Sequence, residues 1–463
     1  MQTTDNFSAT STEKIDFHGI KLSVQSLFSG SLLVGTTGSG KTRSGIRPLL
    51  RALLVLHAAD PRLRAGACII DPKGDLADYV REALARCGRS DLVSVGPGKN
   101  DATYNPIGNP SLSASQVAHL LLSAAVQFGP EPERRARSGE RFWELADRSL
   151  LTAMVSTCRR ALEVSSEGHQ ALRIQHLNQL RPMLSKPDKE LRQWASQLAA
   201  ELEGPAGNAW LEFAALPEGT TRPCIAASVG AVLQTWAEPP LSLVVNPSAD
   251  RPEADLSKII SDGTVVLVNT AHAENAVELL PVQVLLKLDF YRRVLARPRT
   301  PTNQERPVWL FIDEFTRVFS AQEGDSEANF LESARSSRCG AILATQSLSG
   351  LICRGGQALV DKLTALTNSQ IFLTNTDPAT IAWAERCLGT RTVHRFHQTV
   401  EPSLPPPLLV PGDRIRPARK AKQLGVRVPC KEPRVDLTRL KTGELWIRTP
   451  SIVKRILTDP AAP

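Results

Sequence analysis

Short apolar runs alternate with segments of helical periodicity over the first hundred residues. The runs at 32–34, 67–70 and 92–95 each end where a glycine or an aspartate follows. Between them, residues 41–57 and 76–86 repeat their branched apolar residues at spacings of three and four, as one face of a helix does. Buried strands that alternate with such helices are typical of a parallel sheet with helices on both faces. The pattern therefore predicts an α/β fold.

The pattern changes in the middle of the chain. Residues 113–236 show helical periodicity and almost no strand signal, in stretches such as "SQVAHLLLSAAVQF" and "KELRQWASQLAAELEG". Trp143 and Trp194 lie within apolar helical stripes, which favours core packing for both. Strand-like runs return in "GTVVLVNT", "VWLFIDEF", "GAILATQS", "SQIFLT" and "GELWIR", with a helix predicted over 274–296. The sequence thus predicts an all-α domain inserted into the α/β domain.

The predicted boundaries follow from these changes of pattern. They are 1–30 for a polar lead-in segment, 31–107 for the first part of the α/β domain, 108–257 for the all-α insertion and 258–463 for the second part. The chain has 463 residues, 42% of them hydrophobic, which is ample for a large core. It contains no apolar run of eighteen residues and no secretion signal pattern, so a soluble, unexported chain is expected. The net charge of +8 fits the handling of a polyanion, but charge alone leaves nucleic-acid binding undecided.

The stretch "GTTGSGKT" matches the phosphate-loop pattern G-x-x-x-x-G-K-[ST] in full, with a strand before it and a helix after it. Its members are Gly35, Thr36, Thr37, Gly38, Ser39, Gly40, Lys41 and Thr42. Glycines let the backbone N–H groups wrap around phosphate oxygens, and the helix that follows adds its positive end. Lys41 is expected to contact the terminal phosphates, and the Thr42 hydroxyl to bind Mg²⁺. The sequence therefore predicts a nucleotide site.

Carboxylates follow a buried strand in "VWLFIDEF". Asp313 is placed to hold Mg²⁺ and Glu314 to polarise an attacking water. The alternative is an acidic helix start that favours the helix dipole. Gln346 ends the strand in "AILATQ" and can sense the terminal phosphate through a water. Together with the phosphate loop, this favours catalysis.

Arg335 and Arg338 precede that same strand, in "ARSSRCGAILATQS". One interpretation is an arginine finger that reaches a neighbouring subunit's nucleotide and neutralises charge in the transition state. The other is a solvated surface pair, as most arginines are. A finger of this kind requires an oligomer.

The order of these motifs resembles the TraG/TraD-type coupling proteins of type IV secretion and conjugation, in the FtsK–HerA group of ring translocases. The resemblance covers roughly residues 28–450. It is carried by the phosphate loop, "IIDPKGDL", "YNPI", the helical insertion, "FIDEF", "AR…LATQS" and "LTRLKTGELWIR". The loop and "FIDE" are shared by many ATPases, whereas "DPKGDL" and "NPI" with the helical insertion are more specific.

The resemblance implies a RecA-like P-loop NTPase core with a mostly parallel sheet, interrupted by the all-α domain and assembled as a hexamer around a channel. It implies ATP and Mg²⁺ as ligands, with Lys41 and Thr42 on ATP–Mg²⁺. Asp313 and Glu314 then hold the metal and activate water, and Gln346 takes the sensor position. Arg335 matches the family's finger, with Arg338 in reserve. Asp71 and Lys73 match the "DPKG" element, which is expected near the phosphates or the channel.

Coupling proteins of this type commonly begin with membrane-spanning helices, whereas here about thirty polar residues precede the first strand. The expected location is therefore the cytoplasm, with recruitment to the inner membrane through a partner as an alternative. The resemblance suggests a relaxase or a secretion-system or mobile-element protein as partner. A relative moved to another task, in a mobile-element or defence system, is the further alternative.

Two basic stretches are candidates for contact with DNA, because arginine and lysine bind phosphates without sequence preference. The candidate residues are Arg134, Arg135, Arg137, Arg414, Arg416, Arg419, Lys420 and Lys422. The alternative for both stretches is a solvated charged loop. The function expected from sequence and resemblance is ATP-driven movement of DNA, with single-stranded DNA or a DNA–protein complex as the expected cargo. Delivery of protein substrates and a nucleotide-dependent assembly switch are the alternatives.

Overall fold

A computed structural model of the chain describes residues 13–128, 140–165, 171–269, 276–298, 306–322, 324–400 and 423–458. Its centre is a nine-stranded, mostly parallel sheet. The strands are β1 (Lys14–Phe17), β2 (Ile20–Ser23), β3 (Ser31–Val34), β4 (Gly66–Ile70), β5 (Leu92–Val95), β6 (Val265–Val268), β7 (Val308–Ile312), β8 (Cys339–Thr345), β9 (Ser369–Phe372), β10 (Thr390–Val400), β11 (Gln423–Pro433), β12 (Glu444–Arg448) and β13 (Val453–Leu457). The order across the sheet is β13-β12-β9-β3-β8-β7-β4-β6-β5.

Strands β3 to β9 of this sheet are parallel to one another, and β12 runs antiparallel to β9 and β13. Successive residues of a strand face opposite sides of the sheet. Leu32 and Val34 therefore join one core and Leu33 the other. Both sides are covered, which explains why the central strands are buried at every position and mostly apolar instead of alternating.

The helices are α1 (Val24–Leu27), α2 (Arg47–Val55), α3 (Ala77–Arg86), α4 (Ala114–Val126), α5 (Glu140–Val164), α6 (Ile174–Gln179), α7 (Arg181–Leu184), α8 (Asp188–Leu202), α9 (Gly204–Ala215), α10 (Thr221–Ala237), α11 (Leu241–Val245), α12 (Ser257–Ser261), α13 (Leu280–Leu295), α14 (Glu327–Ala334), α15 (Leu348–Leu366) and α16 (Pro378–Leu388). Helices α4 to α12 all lie between β5 and β6. The predicted fold class, a RecA-type parallel-sheet core with an all-α insertion, is confirmed.

Three elements differ from the sequence-based expectation. The lead-in segment, for which the sequence suggests one short strand in "FHGIKLSV", contains a hairpin of two strands, β1 and β2, whose Phe17 and Leu22 are buried in the core. A second hairpin pairs β10 with β11 outside the main sheet. The predicted closing strand β12 is followed by an edge strand, β13.

Two tryptophans were predicted to pack in the core, and the structure supports this for one of them. Trp194 packs edge-on against Trp210, as expected for a core residue. Trp143, in contrast, is 39% exposed near the start of α5.

All eight basic residues proposed to contact DNA lie outside the described residues. Within the described ranges, none of the helices has the length and apolar character needed to cross a bilayer.

Candidate nucleotide site

The phosphate loop leaves β3 at the carboxyl edge of the sheet, between β8 and β9. The backbone N–H of Gly35 donates to Thr345 O (3.3 Å) and that of Thr36 to Thr374 O (2.9 Å), which fixes the start of the loop. Gly40 has φ +94°, a left-handed conformation that glycine adopts without strain. A Cβ on Gly35 would lie only 2.8 Å from the Leu373 Cβ. The glycines are therefore required by backbone geometry and close packing.

Lys41 and Thr42 begin a π-helical turn, Lys41–Ile46, that continues into α2. The buried Lys41 ammonium donates to Gly35 O (2.7 Å) and Thr36 O (3.1 Å). Burial lowers the pKa of Lys41, and the negative charges of Glu314 and Asp313 oppose this change. The side chain thus lies along the loop, within the field of both carboxylates.

Asp313 and Glu314 follow β7 directly and reach the same place. The Thr42 hydroxyl donates to Asp313 Oδ2 (2.6 Å), which joins residues 271 positions apart. Burial raises the pKa of Asp313, with the Thr42 hydrogen bond acting in the opposite direction. Glu314 has φ +51°, a left-handed conformation that is uncommon for a residue with a side chain. Such backbone strain is frequent at functional sites.

The Glu314 carboxylate is held at both oxygens. Oε1 forms an ion pair with Lys73, and Oε2 accepts a hydrogen bond from Gln346 Nε2 (2.7 Å). Burial acts to raise the pKa of Glu314, but the hydrogen bonds from Lys73 and Gln346 outweigh it and the pKa is lowered. The "DPKG" element and the end of β8 therefore meet at one carboxylate.

Asp71 supports this arrangement through the backbone. Its carboxylate accepts hydrogen bonds from the N–H of Lys73 (3.1 Å) and of Leu76 (2.7 Å). Burial raises its pKa. In the structure Asp71 thus shapes the loop that carries Lys73.

The residues present fit a nucleotide with Mg²⁺. Thr42 and Asp313 offer adjacent oxygen ligands, and Mg²⁺ usually takes one or two protein ligands together with substrate phosphates. The buried Ser39 hydroxyl has no hydrogen-bond partner among the described residues, so a donor within the loop is left for a ligand. The described residues contain no cluster of three or more His, Cys, Asp or Glu side chains suited to a metal. A Mg²⁺ ion held by Thr42 and Asp313 would take its remaining ligands from phosphate oxygens and water.

Arg335 and Arg338 are not brought to this site. Arg335 is exposed at the start of a 3₁₀ turn, Arg335–Ser337, that follows α14. Arg338 has φ +49° and its guanidinium lies 5.7 Å from the centre of the Phe28 ring. Both precede β8, whereas the phosphate loop lies at its other end. Seven strand residues separate the two ends by about 20 Å.

Sequence reasoning missed two supports of the site. The buried Asn375 donates from Nδ2 to Gln346 O (2.8 Å) and so positions the residue that binds Glu314. The Ser44 and Thr458 hydroxyls lie 3.0 Å apart, which joins the π-helical turn to the end of β13. The polar "TNTD" after a buried strand was a usable signal for Asn375, whereas nothing local to Thr458 indicated its contact. The chemical roles of all these residues stay predictions.

Comparison with known proteins gives a consistent result. Residues 257–403 match the family model described as the type IV secretion-system coupling protein DNA-binding domain. No curated protein sequence matches the chain. Among solved structures, the chain is similar to the bacterial conjugative coupling protein TrwBΔN70 in its unbound monoclinic form, with 16% identity and a TM-score of 0.64 over 97% of this chain and 88% of that chain.

Two further structures share the fold. TrwB in complex with ADP and Mg²⁺ is 16% identical, with a TM-score of 0.61 over 97% of this chain and 90% of that one. VirB4 of Thermoanaerobacter pseudethanolicus is 15% identical, with a TM-score of 0.50 over 94% of this chain and 90% of that one. The chain therefore has the fold of a conjugative coupling protein, and the match of residues 257–403 to that family's DNA-binding domain confirms the resemblance to the TraG/TraD-type coupling proteins.

Proposed function

We propose that this protein is a ring-forming ATPase that couples ATP hydrolysis to the movement of DNA in a conjugative or type IV secretion process. The observation that carries the proposal is the meeting of Lys41, Thr42, Asp313 and Glu314 at one edge of the sheet. A protein that has a phosphate-binding loop alone can act as a nucleotide-dependent switch. A second buried carboxylate beside the metal-binding pair is what hydrolysis requires.

Each residue has a distinct role in this proposal. The loop amides and Lys41 would bind the phosphates, and Thr42 and Asp313 would hold Mg²⁺, which would supply positive charge to the phosphate oxygens. Glu314 polarises the attacking water. Lys73 and Gln346, which hold the two oxygens of Glu314, keep that carboxylate ionised and oriented. Asp71 acts through the loop that presents Lys73.

DNA is the proposed cargo, single-stranded or joined to a protein. It is supported by the family description of residues 257–403, by the conjugative role in the name of the similar TrwB, and by the net charge of +8. The basic stretches at 134–137 and 414–422 are proposed to contact its phosphates. The proposal also includes assembly as a homo-hexamer, a relaxase or secretion-system partner, and recruitment from the cytoplasm to the inner membrane.

Steady-state ATP hydrolysis with and without single-stranded DNA tests the proposal. We expect DNA to stimulate the wild-type protein, and the stimulation to fade as salt rises, because phosphate contacts release counterions. Glu314→Gln should bind ATP but lose about 100-fold or more of its turnover, as the loss of a general base does. Lys41→Ala should lose nucleotide binding.

The control is Glu332→Gln, which changes a half-exposed carboxylate on α14 and should keep normal turnover. Normal hydrolysis by Glu314→Gln would remove Glu314 from the proposed role. Hydrolysis indifferent to DNA at both salt concentrations would refute the DNA-driven motor and favour protein cargo or an assembly switch.

A further inference from the structure

A cavity lies at the opposite edge of the sheet from the phosphate loop. Its volume is about 620 Å³. Arg306, two residues before β7, forms one wall and donates to Arg64 O (2.7 Å) before β4 and to Ser261 O (3.0 Å) at the end of α12. The cavity is therefore at the amino ends of these strands. Cavities of this size commonly hold small ligands.

The lining of this cavity is strongly cationic. Five arginines line it: Arg62, Arg292, Arg293, Arg297 and Arg306. The remaining lining residues are serines and apolar residues, and no carboxylate is among them. Asp289 binds Arg292 and Arg293 from behind, and Asp255 lies 3.9 Å from Arg293. Asp60 adds negative charge near Arg62 and Arg306, and Asp262 near Arg306, so Arg297 is the lining arginine with no described carboxylate acting on it.

Ordinary structural roles explain three of the arginines. Arg292 and Arg293 belong to the last turn of α13, where cations favour the helix dipole, and both bind Asp289. Arg306 is saturated by backbone carbonyls at the strand ends. These contacts account for the local fold and leave two arginines: Arg297, whose Nε has no hydrogen-bond partner among the described residues, and Arg62, which has Asp60 as a neighbouring negative charge.

Arg297 is the observation that points to a ligand. It is only 5% exposed. Its Nη1 donates to Arg306 O (3.0 Å) and Ser337 O (3.1 Å), while its buried Nε has no hydrogen-bond partner among the described residues. Burial, with the positive charges of Arg338 and Arg306, lowers the pKa of Arg297 to about 10. A buried guanidinium with no described carboxylate beside it calls for a counter-ion.

Arg62 is placed to complete such a site. It is exposed at the cavity wall, where its guanidinium makes no hydrogen bond with another described residue. Guanidinium groups bind phosphate oxygens through paired, charge-assisted hydrogen bonds. We propose that this arginine cavity binds a phosphate group, with Arg297 and Arg62 as its principal donors. The proposal does not depend on ATP hydrolysis at the phosphate loop.

Binding of pyrophosphate, measured by isothermal titration calorimetry, tests the proposal. The full chain is used with Lys41→Ala, so that the phosphate loop does not contribute its own anion site. We expect one pyrophosphate site in this background. Adding Arg62→Glu should weaken the affinity about tenfold or more, since one charge-assisted contact is replaced by repulsion. Arg297→Met should weaken it by at least as much.

Arg192→Glu is the matched control, because it makes the same charge change on an exposed arginine of α8 outside the cavity. Arg62→Glu keeps the test decisive if Arg297→Met does not fold, because Arg62 is exposed. Absence of pyrophosphate binding in the Lys41→Ala protein would overturn the proposal. Equal affinity in the Arg62→Glu and Arg192→Glu proteins would also overturn it.

Competition identifies the source of the phosphate. A single-stranded oligonucleotide that displaces pyrophosphate would assign the cavity to the DNA backbone. Displacement by AMP, with no effect of the oligonucleotide, would assign it to a free nucleotide. Pyrophosphate that neither competitor displaces would leave inorganic phosphates as the ligands of the cavity.

Discussion

The buried ion pair between Lys287 of α13 and Glu327 of α14 can be broken to test how the nucleotide site is held together. Both side chains are almost completely inaccessible, at 0% and 1% exposure. The Lys287 ammonium also binds Val318 O and Ser320 Oγ, in the segment that follows Asp313 and Glu314. One lysine thus joins α13, the segment after β7 and the helix that leads to Arg335. Lys287→Met removes the charge and keeps most of the volume.

The expected loss is large because Glu327 would remain buried without its partner. It would keep neutral donors, among them the Ser320 N–H (3.1 Å) and the Tyr291 hydroxyl (3.3 Å), but no cation. Removing one partner of a buried pair costs about 3–5 kcal/mol of unfolding free energy. For a domain of this size that corresponds to a fall in Tm of about 5 °C or more. Lys287→Met with Glu327→Leu removes both charges and should recover most of the loss, since apolar replacements of buried pairs are often neutral.

Thermal unfolding followed by differential scanning calorimetry measures these differences. The control is Lys362→Met, which breaks a pair with Glu332 on the same helix α14 whose side chains are 40% and 48% exposed. Surface pairs contribute only about 0–1 kcal/mol, so this variant should melt near the wild type. The reasoning is refuted if Lys287→Met melts with the control. It is also refuted if the double variant melts no higher than Lys287→Met alone.

Three further predictions concern the site itself. Arg335→Ala should abolish ATP hydrolysis, and mixing with Lys41→Ala subunits should restore part of it. In the mixture the Arg335→Ala subunit supplies an intact phosphate loop and the Lys41→Ala subunit supplies the arginine. No recovery of hydrolysis at any mixing ratio would favour Arg338 as the finger or exclude a finger. Lys73→Met should lower kcat more than nucleotide affinity, because the ammonium binds Glu314; a loss of affinity at unchanged kcat would instead place Lys73 on the phosphates. Gly45→Ala should lower Tm, because the new Cβ would lie 2.4 Å from Leu33 Cδ2. Gly219→Ala is the control and should leave Tm unchanged, because no atom lies within 4 Å of a Cβ at that position. Equal Tm values for the two variants would contradict the packing argument.

The sequence pattern was sufficient to predict the strands that are completely buried. Strands β3, β4 and β7 are buried at every position because both faces of the sheet are covered, and the apolar run within each strand was visible in the chain. Carboxyl ends of parallel strands share an edge, so Asp313 could be placed near the phosphate loop without knowing the order of the strands. Half-exposed strands such as β13 have one buried position, Ile456, and give no comparable signal.

Contacts between distant polar residues could not be predicted from local pattern. Lys73 and Glu314 are 241 positions apart, and only the adjacency of β4 and β7 brings their loops together. The arginine cavity has the same origin, since residues that precede β4, β6 and β7 meet at the amino edge of the sheet. Trp143 was wrongly predicted to pack in the core. Helical periodicity identifies the apolar face of α5 but does not show where along that face the packing ends.

The polarity of the sheet bears on how copies of this chain must be arranged. The phosphate loop and Glu314 lie at the carboxyl ends of the strands, whereas Arg335 and Arg338 lie before β8, about 20 Å away along that strand. An arginine at that position can act on a nucleotide only if the nucleotide belongs to another copy. Such a contact joins unlike surfaces, the amino edge of one sheet to the carboxyl edge of the next. Head-to-tail contacts of this kind close into rings when the rotation between copies allows it. A ring is thus the assembly that follows if Arg335 is the finger, and a chain active as a monomer would exclude that role.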